Sequence, residues 1–235
     1  MKQLEANNFA SLHEILCQFR TRKKNWIFRG HSDVSWKLLP KAGRQPYCLI
    51  EDKPVFESWK RRAIEHVRIL PNSDWEWLAI AQHHGLVTRL LDWTKNPLNA
   101  AYFAVRENHD TDAVIYAARF KWTVATEKTH PMEYSGVATY WPSGIVPRIP
   151  RQAGLFTIHG KPTVPLEESL EHVEELVRIV IPKKSRDELL RELSYYGINA
   201  GTLFPDLDGL SAFLNWTIES QEYWNLKSDE ADSAF

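Results

Sequence analysis

A chain of 235 residues, 43% hydrophobic and 25% charged with a net charge of −1, has the composition of an ordinary globular protein long enough to bury a core. That balance excludes a molecule-wide field pulling the protein toward nucleic acid or an anionic membrane, so any contact with a polyanion has to be local. Two cysteines exclude a disulfide framework and a thiolate zinc site, and no run approaches the roughly 20 apolar residues that a membrane-spanning helix needs.

The first ten residues, MKQLEANNFA, lack the apolar stretch of a signal peptide. Cytoplasmic location, without a membrane partner, is the expectation. Behind Asn8 as a cap, Phe9, Leu12, Ile15, Leu16 and Phe19 recur at helical spacing, predicting a first helix over 9–22 that ends in the basic turn RTRKK. WIF (26–28) reads as a short strand, followed by a loop through Pro40 and Gly43. Val55, Phe56, Trp59, Ala63 and Val67 form a second helical stripe over 51–69. Ser73 and Glu76 have the spacing of a capping box, and the helix they open runs to Gly85 as its C′ residue. VTRLLDW (87–93) is a strand, closed by Asn96 as cap and Pro97 at the first position of the helix LNAAYFAV.

AVIYAARF (113–120) is apolar almost throughout, as expected of a strand buried on both faces. Residues 121–150 show no period and read as an ordered excursion, not a second domain. Strands GLFTIHG (154–160) and VRIVIP (177–182) come next. Ser185 and Glu188 repeat the capping-box form, and FPDLDGLSAFLNW is a last helix. The expected fold is α+β: a single domain over 1–226, with a mixed central β-sheet and flanking helices, and a flexible tail over 227–235.

Chemistry concentrates at few places. Arg29, beside Gly30 at a strand-to-loop exit, presents a planar five-donor fork suited to phosphate where backbone can approach a ligand; it equally suits a structural pair with Asp33 or Asp92. His83 and His84 are adjacent, pointing about 100° apart on a helix, so they do not make the i, i+4 pair of a metal site. Asp92, Trp93 and Thr94 bring a carboxylate, an indole and a hydroxyl to one sheet edge; Asp92 also has Arg89 and Arg29 as structural partners. The acidic run Glu167, Glu168, Glu171, Glu174 and Glu175 reads as a solvated helix face, and Asp206 of PDLDG as a helix N-cap and not part of a calcium loop. Neither GxGxxG nor GxxxxGK[ST] occurs, which removes the two commonest nucleotide-binding loops.

Three stretches, IFRGHSDVSWKLLPKAGR (27–44), AQHHGLVTRLLDWTKNPLNAAYFAV (81–105) and LSYYGINAGTLFPDLDGL (193–210), together resemble the FRG domain family, a likeness spanning nearly the whole chain. A remoter similarity is to arginine-type ADP-ribosyltransferases. In those enzymes an Arg in a Tyr/Phe-Arg-Gly sequence ends the first core strand and a Ser-Thr-Ser strand precedes a helix of the form NPxxAxxFA. IFRG and LLDWTKNPLNAAYFA correspond, with Asp92, Trp93 and Thr94 where Ser-Thr-Ser would stand. The resemblance implies an ADP-ribosyltransferase-like fold with NAD as substrate. It also implies phosphates held by Arg29 beside Gly30, a nicotinamide site supported by Thr94, and stacking by Trp93 or Tyr102, with His84 beside the cofactor. The catalytic Glu of those enzymes has no counterpart: Gln152 is nearest in position and carries no charge, leaving Asp92 or Asp206 as the acid.

The resulting expectation is an NAD-dependent transferase acting on a macromolecule, protein or nucleic acid, in the manner of a bacterial toxin or phage-defence effector with an antitoxin protein as partner. A catalytically inactive module is the alternative, in which Arg22, Lys23, Lys24 and Arg29 contact the phosphates of a nucleotide or nucleic acid and tryptophans stack on bases. A protein–protein interaction domain is the third.

Overall fold

The computed structural model describes residues 1–20, 25–107, 110–143 and 148–220; the basic residues 22–24 and the tail 227–235 lie outside them. Seven strands form one mixed sheet: β1 (Lys2–Glu5), β2 (Ile27–His31), β3 (Leu90–Thr94), β4 (Ala113–Phe120), β5 (Val137–Tyr140), β6 (Gly154–His159) and β7 (Val173–Ile181). Their order is β1-β7-β4-β2-β3-β6-β5, antiparallel except for the β1–β7 pair.

The described helices are α1 (Phe9–Cys17), α2 (Asp52–Ala63), α3 (Asp74–His83), α4 (Pro97–Val105), α5 (Arg148–Arg151), α6 (Arg186–Tyr195), α7 (Ala200–Leu203) and α8 (Leu207–Glu219). Local chemistry explains several of their ends. Asn8 and Ser11 form a reciprocal capping box at α1. Asn96 accepts from Leu98 N and Pro97 takes the first position of α4, while Gly85, at φ +82°, closes α3 in a conformation that disfavours any residue with a Cβ.

Alternation along the strands assigns two faces. On one, Phe28, Ile115, Ala117 and Ile179 pack against α1, α4 and α6, and farther along the same face Leu90, Phe156 and Ile158 lie under α2 and α3. On the other, Ile27, Leu91, Trp93, Tyr116 and Leu155 are covered by Leu38 and Leu166 from loops. A buried ion pair pins α2 to the sheet: Arg89 donates to Asp52 through Nε (2.7 Å) and Nη2 (2.5 Å), and to Met132 O through Nη1. Arg89 is therefore committed to Asp52, not to Asp92.

The structure differs from the sequence expectations at several points. Helix α1 ends at Cys17, and α2 at Ala63 with one further 3-10 turn, both shorter than expected. Strands β1 and β5 were not expected; β1 is polar and acquires its place from β7, while β5 arises within the excursion. Ser185 forms no cap, its hydroxyl donating instead to Asn7 O at 2.6 Å. The acidic run is not a helix: it makes two 3-10 turns and enters β7, with Glu174 and Glu175 paired to Arg119. Strand β2 continues through His31, so Arg29 and Gly30 lie inside a strand and not at its exit.

Candidate functional site

Strand β2 keeps full register with β4 from Ile27↔Ala118 to His31↔Val114, yet it pairs with β3 at Phe28↔Thr94 alone. Beyond that pair the two strands part. The opening is a cleft of about 400 Å³, floored by β2 and β3 and walled by residues from α3, α4 and the 32–44 loop. Its size lies within the range of small-molecule sites, ~300–1,000 Å³.

Arg29 occupies the break. Its Nη1 donates to Asp92 O at 2.7 Å, standing in for backbone pairing that β2 and β3 do not make, and lies 3.6 Å from Asp92 Oδ2. Its Nε donates to His31 Nε2 at 2.9 Å, which requires that nitrogen to be unprotonated, while His31 Nδ1 faces Trp36 O at 3.3 Å. Burial, reinforced by the Arg29 charge, holds His31 neutral with a pKa lowered to about 2. Burial also lowers the Arg29 pKa, with Asp92 opposing. The third donor group, Nη2, has no protein partner among the described residues.

Two more guanidiniums line the cleft. Arg44 is anchored by Nε and Nη2 to Leu39 O, and Arg106 lies over the rings of Phe103 (5.6 Å) and Phe204 (5.4 Å) while reaching Glu107 at 3.2 Å. Asp92 is 56% exposed, against 17% for the Arg29 side chain. One of its oxygens accepts from Gln82 Nε2 at 2.9 Å; Gln82 Oε1 in turn accepts from Thr88 Oγ1 at 2.5 Å. Asp92 is thus oriented from α3.

Of the residues singled out in the sequence, Arg29, Gly30, Asp92, Trp93, Thr94 and Gln152 line this cleft. Their roles are more structural than the sequence suggested. A Cβ on Gly30 would overlap Ala100 O and come within 2.5 Å of Ala104 N, so glycine is needed there for α4 to lie on β2, not for a ligand's approach. The Thr94 hydroxyl donates to Gln152 O at 2.6 Å and accepts from Asn96 N at 3.0 Å, fastening the α5–β6 turn to the start of α4. Gln152 Nε2 donates to Leu203 O, and the following Ala153 adopts φ +48°, a left-handed conformation uncommon outside glycine.

The Trp93 side chain is nevertheless almost fully buried, and two others are placed elsewhere. Trp93 is held among Leu91, Tyr116 and Leu155, its Nε1 donating to Thr157 Oγ1 at 3.0 Å and its ring edge-on to Phe120. Tyr102 is buried against α6 and α8 beside a neighbouring hollow, and burial raises its pKa. His84, exposed at the end of α3, lines a separate hollow with Trp59 and Leu86; His83 is the histidine that faces the cleft. The rotation of about 100° between helical neighbours decides this, and sequence spacing fixed the divergence but not which of the two pointed inward.

The sequence did not mark Gln82, Trp36, Arg44, Phe103 or Arg106 as site residues. Gln82, Trp36, Arg44 and Phe103 all sit inside quoted motifs, which did not say which of their residues would meet, and Arg106 falls one residue beyond, at the C-cap of α4. Asp206 is the N-cap of α8, accepting from Gly209 N at 2.8 Å, as expected. Among the described residues no group of three His, Cys, Asp or Glu is placed to hold a metal ion, and no helix is long and apolar enough to cross a membrane.

Residues 24–113 match the family model of the FRG domain. The matched part carries β2, β3 and α4, hence Arg29, Gln82, Asp92 and Phe103, whereas Gln152, Phe204 and the stretch 193–210 lie beyond it. The FRG-like segment therefore supplies most of the cleft, and the remainder of the chain closes it. No curated protein and no solved structure matches the chain.

Proposed function

We propose that the cleft binds NAD and transfers its ADP-ribose to a nucleophile on a macromolecule. One observation carries this reading: Arg29 sits in the break between β2 and β3 with a donor group facing the opening, flanked by Arg44 and Arg106 and opposite the exposed carboxylate of Asp92. Guanidinium forks suit diphosphate oxygens, and Trp36 and Phe103 add aromatic lining to the cleft, where Trp93 is almost fully buried and Tyr102 is absent. In the reaction the bond from ribose C1′ to the nicotinamide nitrogen breaks and nicotinamide departs with the electron pair. The incoming nucleophile then bonds to C1′ and gives up its proton. Asp92, held by Gln82 and facing the Arg29 guanidinium, lies beside the cationic sugar and stabilises it. Thr94 acts through the loops it fastens, and His31 orients Arg29 as a neutral acceptor. The order of IFRG and NPLNAAYFA resembles that of arginine-type ADP-ribosyltransferases, in keeping with such a fold, and a toxin or defence effector held by an antitoxin is the matching biological role.

Titration calorimetry with NAD, followed by incubation with NAD and cell extract, tests the proposal. Wild type is expected to bind NAD and label a macromolecule; Arg29→Lys, which keeps the charge and loses the fork, is expected to bind at least about tenfold more weakly. Unaltered affinity in that variant sinks the proposed role of Arg29.

A second reading has its own support. Gln152 occupies the cleft where the resemblance calls for a carboxylate, which favours a module that holds a nucleotide without consuming it. Binding of NAD without release of nicotinamide is the outcome that would select it.

A further inference from the structure

Beside the cleft lies a second hollow of about 420 Å³, enclosed by α4, α6, α7 and α8. The two share Arg106, Glu107 and Phe204, so they are compartments of one groove with the stacked Arg106 side chain as the partition. Their chemistries differ. Around the cleft stand Arg29, Arg44 and Arg106 against Asp92 and Glu107; around the hollow, Arg106 is the only cation among the described residues, with Glu107, Asp206 and Asp208 as carboxylates. The hollow's walls are aromatic and aliphatic: Tyr102, Leu190, Phe204, Phe213 and Trp216.

A dinucleotide has the same division, two flat ring systems with a diphosphate between them. We infer that the hollow is the subsite for the adenosine end of the ligand, so that the diphosphate crosses the Arg106 partition and the nicotinamide end lies in the cleft near Asp92. This rests on the proposal that the cleft takes NAD, and adds the direction in which NAD lies. Three physical points set that direction. Phosphates are repelled by the carboxylates of the hollow and drawn to the three guanidiniums of the cleft. A neutral purine stacks on Phe and Trp rings, and its amino group and the ribose hydroxyls are donors that carboxylates accept. Asp206 is engaged as the cap of α8, whereas Asp92, turned to the opening, is the carboxylate available to a reacting sugar.

Arg106 gains a function by this arrangement. In the free protein its guanidinium is paired with Glu107 and lies over Phe103 and Phe204. A phosphate arriving at the partition competes with Glu107 for the fork.

Ala212 lines the hollow, is exposed on α8, and is absent from the cleft lining, so a large residue there fills one compartment alone. Affinities of AMP, NAD and nicotinamide mononucleotide are measured for wild type and for Ala212→Trp, with the unfolding midpoint of each. Wild type is expected to bind all three; Ala212→Trp is expected to lose at least tenfold in affinity for AMP and NAD and less than threefold for nicotinamide mononucleotide. Ala212→Leu, a smaller filler, is expected to give the same order in milder form should the Trp variant not fold. Unchanged AMP binding in the filled variants overturns the assignment, as does a loss confined to nicotinamide mononucleotide, which would put the nicotinamide end in the hollow. Equal loss of all three with an unchanged midpoint also overturns it, because the groove is then undivided. Wild type that binds NAD and nicotinamide mononucleotide but not AMP sinks the subsite and leaves the NAD proposal standing, whereas wild type that binds none of the three ends both.

Discussion

The two edges of β2 have different fates. Toward β4 the strand pairs at all five residues; toward β3 it pairs at one. On the paired side the neighbours Ala117, Ile115 and Val114 are fully buried, while the unpaired side gathers Arg29, Asp92 and Gln82 around open space. Backbone that is not used in a ladder leaves polar groups to satisfy, and side chains do that here: Arg29 bonds the Asp92 carbonyl. The cleft is a consequence of pairing withheld at the middle of a sheet, and the residues with chemistry to offer are those that compensate for it.

The two Arg–Asp pairs extend the contrast. Arg89–Asp52 is buried, doubly bonded and distant from the cleft, whereas Arg29–Asp92 is half open. Replacing Asp52 by Ala strands a buried guanidinium and is expected to cost about 3–5 kcal/mol in urea unfolding. A loss under 1 kcal/mol would show that water reaches Arg89. Next in size, Gly30→Ala drives a methyl group into the α4 backbone and is expected to cost about 1–3 kcal/mol and to weaken ligand binding, since α4 carries one wall of the cleft. Wild-type stability in that variant would mean that α4 moves freely off β2.

A smaller effect is read from pH. His31 and His159 are buried and neutral, their pKa values lowered to about 2 and about 3, both chiefly by burial. In the unfolded chain they protonate near pH ~6.5, so their contribution is fully present above that pH and lost on acidification below it. Each is expected to remove up to ~1.4 kcal/mol of stability per pH unit once the pH is well below ~6.5. His159→Gln should reduce the slope of unfolding free energy between pH 6 and pH 5; an unaltered slope would mean that His159 is already protonated in the folded protein. Smallest of all, Asp92→Asn is expected to change stability by less than about 1 kcal/mol, because the Asp92 carboxylate is mostly exposed and Arg29 keeps its bond to the Asp92 carbonyl, while abolishing the proposed transferase turnover. Full turnover by that variant would remove Asp92 from the reaction.

Much of the local architecture was legible before the structure. The caps at Asn8, Asn96 and Asp206 and the stop at Gly85 are set by side chains bonding backbone within three residues, and such short-range chemistry is written in order. The β4 segment announced itself by apolar content alone. Polar β1 was invisible, because its partner β7 lies more than 170 residues away and supplies the pairing. Ser185 shows the opposite failure, a motif with the right spacing whose hydroxyl found Asn7 instead.

The site divides along the same line. Sequence by itself determined that Arg29, Asp92, Thr94 and Gln152 were worth attention and that adjacent histidines diverge. Only the tertiary structure decided that Trp93 faces the core, that Tyr102 belongs to the neighbouring hollow, and that Trp36, Arg44 and Arg106 complete the cleft. The physical reason is range. Helix period, capping and turn geometry act over a few residues, whereas the gap between β2 and β3 and the side chains that meet around it come from segments distant in the chain.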